Sequence, residues 1–324
     1  YRAIMGSKIK YFYEEKQCGP VARNTGARNA QGTYVMFMDA HTTLGKDTVE
    51  PLADFLKDHS ECGCVSGLSS WSYYERGRMG AYYELFGGGG GPTLPTHMHG
   101  HYMPDGFVGH TKPFKAVMGS QAYTMYRRDE FLKLGGYCDS CRFYPHPEGF
   151  MPLKLWMCGK EVWVHQDSWH IHGMMHRHYE NPEAVNLLER TKVLLDDYSL
   201  DLIDKIQRIR ELLKWGQVDE GKLKRAEYGG LSWYQHGVRN VLMVAYILGD
   251  EKWLDICYNE LSKRDSNLQF LKESAVKAVD EMSYRERLRN MQIMSLDDVL
   301  IKARRERIKG MENWDMRITS DPLG

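Results

Sequence analysis

Apolar positions along the chain fall into two textures. Up to about residue 180 they come in short runs broken by Gly, Pro and His, the pattern of strands, loops and short helices. The clearest run is Tyr34–Met38, five uninterrupted apolar residues, which predicts a strand covered on both faces of an α/β sheet. The small, helix-compatible stretch Ala22–Ala30 precedes it, with Gly32 as its expected stop. From about Asn181 onward the period becomes helical: Leu202, Ile203, Ile206, Ile209, Leu212 and Leu213 recur at steps that line one helix face. Leu231–Leu248 and Lys252–Leu261 predict a helix pair turning at Leu248-Gly249-Asp250. Ser295-Leu296-Asp297-Asp298 predicts a helix start ahead of Val299–Lys309. The expectation is an α/β domain over residues 1–180 followed by a mostly helical region over 181–324.

Composition narrows the class. A 324-residue chain with 42% hydrophobic residues has a core to bury, which excludes disorder as its main state. Lys+Arg and Asp+Glu are both 43, so bulk charge does not drive the chain onto nucleic acid or membrane. One segment departs from this balance. Arg285–Lys309 holds eight basic residues against four acidic ones, a solvated helix face or, in the sharper reading, a patch for a polyanion such as DNA. No apolar run reaches the roughly 20 residues of a membrane span. The seven cysteines include a single Cys138-x-x-Cys141 with no second pair to complete a zinc site. Free thiols, a reducing compartment and hence the cytoplasm are expected. The glycines Gly87–Gly91, followed by His97, His99, His101 and His110, read as a mobile surface loop or as a lid over a ligand.

The chemistry concentrates at Ala22–His41. A buried strand that stops at Asp39-Ala40-His41 sets a carboxylate and an imidazole at its carboxyl end, where open α/β sheets bind ligands. That pair suits a divalent cation with room for phosphate oxygens. Equally, Asp39 could cap a turn and His41 lie on the surface.

The segment resembles the core of GT-A-fold (Rossmann-like) glycosyltransferases of the family 2 type. Ala22-Arg23-Asn24-Thr25-Gly26 and Ala30-Gln31-Gly32 match the ARN-x-G and A-x-G pattern, and Asp39-x-His41 is similar to the variant in polypeptide N-acetylgalactosaminyltransferases. A second block, Met118–Gln121 with Arg127–Tyr137, resembles the family's stretch ending in Leu-Gly-Gly-Tyr. A third, Tyr144–Gly159, brings Trp156, Cys158 and Gly159 into register. Continued ungapped, His172 falls on the family's third metal ligand, although His165, His170, His176 and His178 compete for that role.

The resemblance implies a nucleotide-diphospho-sugar transferase. Asp39, His41 and His172 would hold Mn2+ or Mg2+, Arg23 and Asp39 would bind the donor, a UDP-sugar, and Glu148 would act as the base on the acceptor hydroxyl. His146-Pro147-Glu148 departs from the family's Gly-Gly-Glu-Asn/Asp: the first acid is missing and Glu148 stands at the second position. Tyr144 stands where the family has a lid tryptophan. The acceptor would be a sugar, a protein or, as in virus-type enzymes, a modified DNA base. Only 21 residues precede Ala22, so the family's first strands are expected outside this sequence, a second chain being one source. A catalytically silent GT-A binding domain and a histidine-based metal hydrolase are the other readings.

Overall fold

The computed structural model describes residues 12, 19–39, 42–70, 79–80, 82–84, 101–102, 112–116, 118–141, 149–172, 231, 233–263 and 267–302. His41, Gly87–Gly91, Tyr144, Glu148 and the helix face of 202–213 lie outside them, as does the side chain of His172. Helix α1 (Gly19–Asn29) leads into β1 (Tyr34–Met38), followed by β2 (Thr42–Leu44), α2 (Glu50–Asp58), β3 (Cys62–Ser70) and the short strands β4 (Met79–Gly80), β5 (Tyr82–Glu84), β6 (His101–Tyr102) and β7 (Phe114–Lys115). Then come β8 (Tyr123–Arg127), α3 (Arg128–Lys133), α4 (Phe150–Met157) and the long β9 (Glu161–His172). The helical region supplies α5 (Trp233–Ser262), α6 (Gln269–Asp280), α7 (Tyr284–Arg289) and a final helix α8 over 296–302.

The main sheet runs in the order β1-β8-β3-β9-β2, with β4 on β3 and β7 on β9, while β5 and β6 pair separately. Strand β8 is antiparallel to both β1 and β3, and β9 is parallel to β3. The carboxyl ends of β1, β3 and β9 therefore share one edge of the sheet, the edge where ligands dock in open α/β sheets.

Strand β1 spans the five predicted apolar residues. Val35 and Phe37 enter a core with Tyr126, Phe131 and Tyr137, while Tyr34 and Met36 are half-buried against Leu52, Phe55, Leu56 and Met125 on the α2 side. Both faces are covered, as expected, though unequally. Helix α1 stops at Asn29, three residues before Gly32.

The helical region packs directly on the α/β domain. Leu242, Met243 and Val244 of α5, Leu271 of α6 and Leu288 of α7 join the same core as Ala27, Phe37, Phe131 and Trp156. Each Leu, Met, Val or Phe among them contributes about 1.5–3 kcal/mol when fully buried. The predicted turn is present as a break inside α5, where Gly249 (φ −135°) and Asp250 (φ 55°) leave the helical region of backbone space. A Cβ on Gly249 would lie 2.2 Å from Trp253 Cδ1, so only glycine fits. No helix among the described residues is long and apolar enough to cross a membrane.

Candidate donor and metal site

Arg23 and Asp39 meet at the carboxyl end of β1. Helix α1 sets Arg23 beside the strand end, and its Nη2 donates to Asp39 Oδ1 at 3.2 Å. Nη2 also lies 3.5 Å from the Gln121 carbonyl. The guanidinium is stacked over the Tyr137 ring, 5.2 Å from its centroid. Burial works against the Arg23 charge, yet Tyr137 and Asp39 together hold its pKa above the usual value. Arg23 is a fixed cation here.

Tyr137 is the hub behind it. Its hydroxyl donates to Gln121 Oε1 at 3.2 Å and accepts from Arg23 Nη1 at 3.4 Å. Burial pushes the Tyr137 hydroxyl up, so it keeps its proton at neutral pH. The backbone of Tyr137 is held by the neighbouring residue of the ARN stretch. Asn24 Nδ2 donates to the Tyr137 carbonyl at 2.8 Å, and the Tyr137 amide donates to Asn24 Oδ1 at 2.9 Å. Gly136 precedes this contact with φ 61°, and a Cβ there would come within 2.3 Å of Asn24 Oδ1. Both the sign of φ and the close approach demand glycine.

The turn after β1 is also pinned. The Asp39 amide donates to the Ala122 carbonyl at 3.2 Å, and the Thr42 amide to the Asp39 carbonyl at 3.0 Å. Thr42 is paired in register with His172 at the end of β9. The backbones of Asp39, Thr42 and His172 are thus neighbours at one sheet edge. Asp39 keeps a third of its side chain exposed (33%), whereas Arg23 shows 15%. His170, two residues before His172, is buried with its Nε2 3.2 Å from Ser120 Oγ.

Among the described residues, no three His, Cys, Asp or Glu side chains gather as a metal site. The expected partners of Asp39, namely His41 and the side chain of His172, lie outside those residues, and so does Glu148. Asp39 itself presents a one-third exposed carboxylate, the oxygen donor that suits Mg2+ or Mn2+. Sequence reasoning passed over Gln121, Tyr137 and Asn24 as individual residues. The signal was present only as motif text, in the ARN stretch and the Gly135-Gly136-Tyr137 block.

Residues 1–135 match the family Glycosyl transferase family 2. N-acetylgalactosaminyltransferase 6 of Drosophila melanogaster is 24% identical over 242 residues, covering 69% of this chain and 35% of that protein. Polypeptide N-acetylgalactosaminyltransferase 5 of Caenorhabditis elegans is 27% identical over 259 residues, covering 75% of this chain and 41% of the relative. A mouse relative named inactive polypeptide N-acetylgalactosaminyltransferase-like protein 5 is 23% identical, covering 61% of this chain and 47% of its own. Among solved structures, GalNAc-T7 with UDP, GalNAc and Mn2+ superposes with a TM-score of 0.57 at 14% identity, covering 93% of this chain and 46% of that one. The last likeness is one of fold. The fold is of the GT-A type, followed by packed helices, and the match to the family 2 glycosyltransferase model spans the chain's first 135 residues. The resemblance to polypeptide N-acetylgalactosaminyltransferases is borne out by these relatives. The chain spans less than half the length of each of them.

Proposed function

We propose that the protein is a metal-dependent glycosyltransferase that moves a sugar from a nucleotide-diphosphate donor, a UDP-sugar, to an acceptor hydroxyl. The observation that carries this reading is the Arg23–Asp39 pair at the carboxyl end of β1. A cation-binding carboxylate and a fixed guanidinium side by side suit a metal–diphosphate group. Asp39, His41 and His172 would hold the metal, which supplies Lewis-acid neutralisation of the leaving diphosphate when bound. Arg23 donates to phosphate oxygens through its planar fork. Glu148 takes the acceptor hydroxyl proton. The relatives' names support a hexosamine donor, and the solved relative was crystallised with UDP and Mn2+. The acceptor is a hydroxyl on a sugar or protein, with the modified DNA base as the alternative. The cytoplasmic assignment is part of this proposal and rests on the six described cysteines, all free thiols.

The test is hydrolysis of UDP-sugars by the full chain with and without Mn2+. Mn2+-dependent turnover is expected, and Asp39→Asn is expected to lower it by about 100-fold or more. Full turnover in excess EDTA would overturn the metal dependence. The mouse relative's name keeps a silent binding domain as the second reading. A rise in Tm with UDP and Mn2+, without any turnover across nucleotide sugars, would select it.

A further inference from the structure

Every backbone carbonyl from Leu134 to Tyr137 is approached by a side chain from another element. Lys154 Nζ of α4 donates to Leu134 at 3.0 Å and also to Gly136. Asn24 of α1 donates to Tyr137. The remaining partner comes from the helical region: the hydroxyl of Tyr284, first residue of α7, donates to the Tyr137 carbonyl at 2.7 Å and lies 3.3 Å from the Gly135 carbonyl.

Tyr284 is buried (7% exposed), and burial raises its hydroxyl pKa, so it remains a donor across the working pH range. Its helix is fixed in turn. Arg285 Nη2 donates to Asp250 Oδ1 at 2.7 Å and to Glu251 at 3.2 Å, and its guanidinium sits 3.8 Å over the Tyr246 ring. Arg289 adds a further bond to the same Asp250 oxygen at 2.6 Å. A continuous line of contacts thus runs from the break in α5 through α7 and Tyr284 to Tyr137, and from the Tyr137 hydroxyl to Arg23 and Asp39.

We propose that Tyr284 is a positioning residue for the donor site, by which the helical region sets the turn carrying Tyr137 and through it the Arg23–Asp39 pair. The proposal deepens the donor reading given above and rests on it. Tyr284 touches no substrate. Its role is to keep the Tyr137 hydroxyl where Arg23 is oriented toward the strand end.

The experiment titrates the full chain with UDP in the presence of Mn2+. Tyr284→Phe keeps the ring and removes only the donor; binding is expected to weaken about 3- to 10-fold, the usual effect of one buried hydrogen bond. Val279→Ala opens a cavity in α6 without removing any bond to Tyr137 and lowers Tm at least as much, yet its UDP affinity should stay within about twofold of wild type. In a Tyr137→Phe background, which cuts the link to Arg23 and Gln121, the further effect of Tyr284→Phe should vanish. Wild-type affinity in Tyr284→Phe, or an equal loss in Val279→Ala, would overturn the proposal. Should wild-type protein bind no UDP with Mn2+, the donor reading itself fails. Hydrogen exchange then decides the positioning role alone. Tyr284→Phe must speed exchange at the amides of Tyr137 and Asp39 while Val279→Ala leaves both unchanged, and unchanged rates in Tyr284→Phe overturn it.

Discussion

At the scale of single residues, Asn24 does more than its polar type suggests. It is 3% exposed and satisfies both backbone groups of a residue 113 positions away. Removing it strands a buried N–H and weakens the hold on a buried carbonyl, at a cost of about 1–3 kcal/mol for each group left unsatisfied. Asn24→Ala is therefore expected to lose about 2–4 kcal/mol of unfolding free energy in a denaturant titration. Lys154 is the second such residue. Its side chain is 1% exposed, and burial holds its pKa down at about 7. The unfolded chain keeps the ordinary lysine value, so between pH 7 and about 10 it binds a proton that the folded state has released. Wild-type stability is thus expected to rise with pH through that window. The deficit of Lys154→Met relative to wild type should grow between pH 6 and pH 9, by an amount on the order of a few kcal/mol. Equal deficits at both pH values would show that Lys154 remains charged when folded. The donor-site reading of Arg23 and Asp39 was accessible from the ARN and Asp-x-His text. The roles of Asn24, Gln121 and Lys154 were not, because each depends on a partner brought close only by the fold.

Among elements, legibility followed how local the cause was. Five adjacent apolar residues announced β1, and Gly249-Asp250 announced the break in α5. The start of α8 was legible for the same reason. Ser295 Oγ accepts from the Asp298 amide at 3.1 Å, and Asp298 Oδ2 accepts from the Ser295 amide at 3.3 Å, a reciprocal cap contained in four residues. Hydrogen bonding to Ser295 holds the Asp298 carboxyl below its ordinary range. Ser295→Ala is expected to cost about 0.5–2 kcal/mol, read as a lowered denaturation midpoint with an unchanged m value. Strand β9 was not legible. Its buried Val162 and Val164 give way to Gln166 and Asp167, and the pairing with β3 slips between Gly67 and Leu68. A bulge of this kind breaks the alternation by which sequence reveals a strand. The pairing of Thr42 with His172 depends on that slip and so was open only to resemblance.

For the whole molecule, charge and packing both look different once the helices are in place. The excess of basic residues counted over Arg285–Lys309 is partly answered from outside that window. Arg285 and Arg289 pair with Asp250, Arg287 lies over the Tyr284 ring and Lys302 over the Trp156 ring. Residues 303–309 lie beyond the described segment. For the described part, the contacts favour helix packing over a polyanion surface. The same contacts make the helical region part of the α/β domain's core rather than an appendage. A chain ending at residue 230 would uncover Trp156, over whose ring Lys302 lies, and Met157, whose carbonyl accepts from the Ile293 and Met294 amides. It is expected to be recovered aggregated, while the full chain should unfold in a single calorimetric transition.

That shared core also sets a schedule for biosynthesis. The residues that open it, Ala27 to Met157, leave the ribosome well before those that close it, Val238 to Val299. Roughly 140 residues separate Met157 from Val299, and at about 5–20 residues per second their synthesis lasts about 7–30 s. Through that interval the apolar face of α4 that packs on α5 has no native cover. Nascent chains of this protein are therefore natural clients for a ribosome-associated holdase, and their yield should depend on the supply of one more than on the stability of the finished fold.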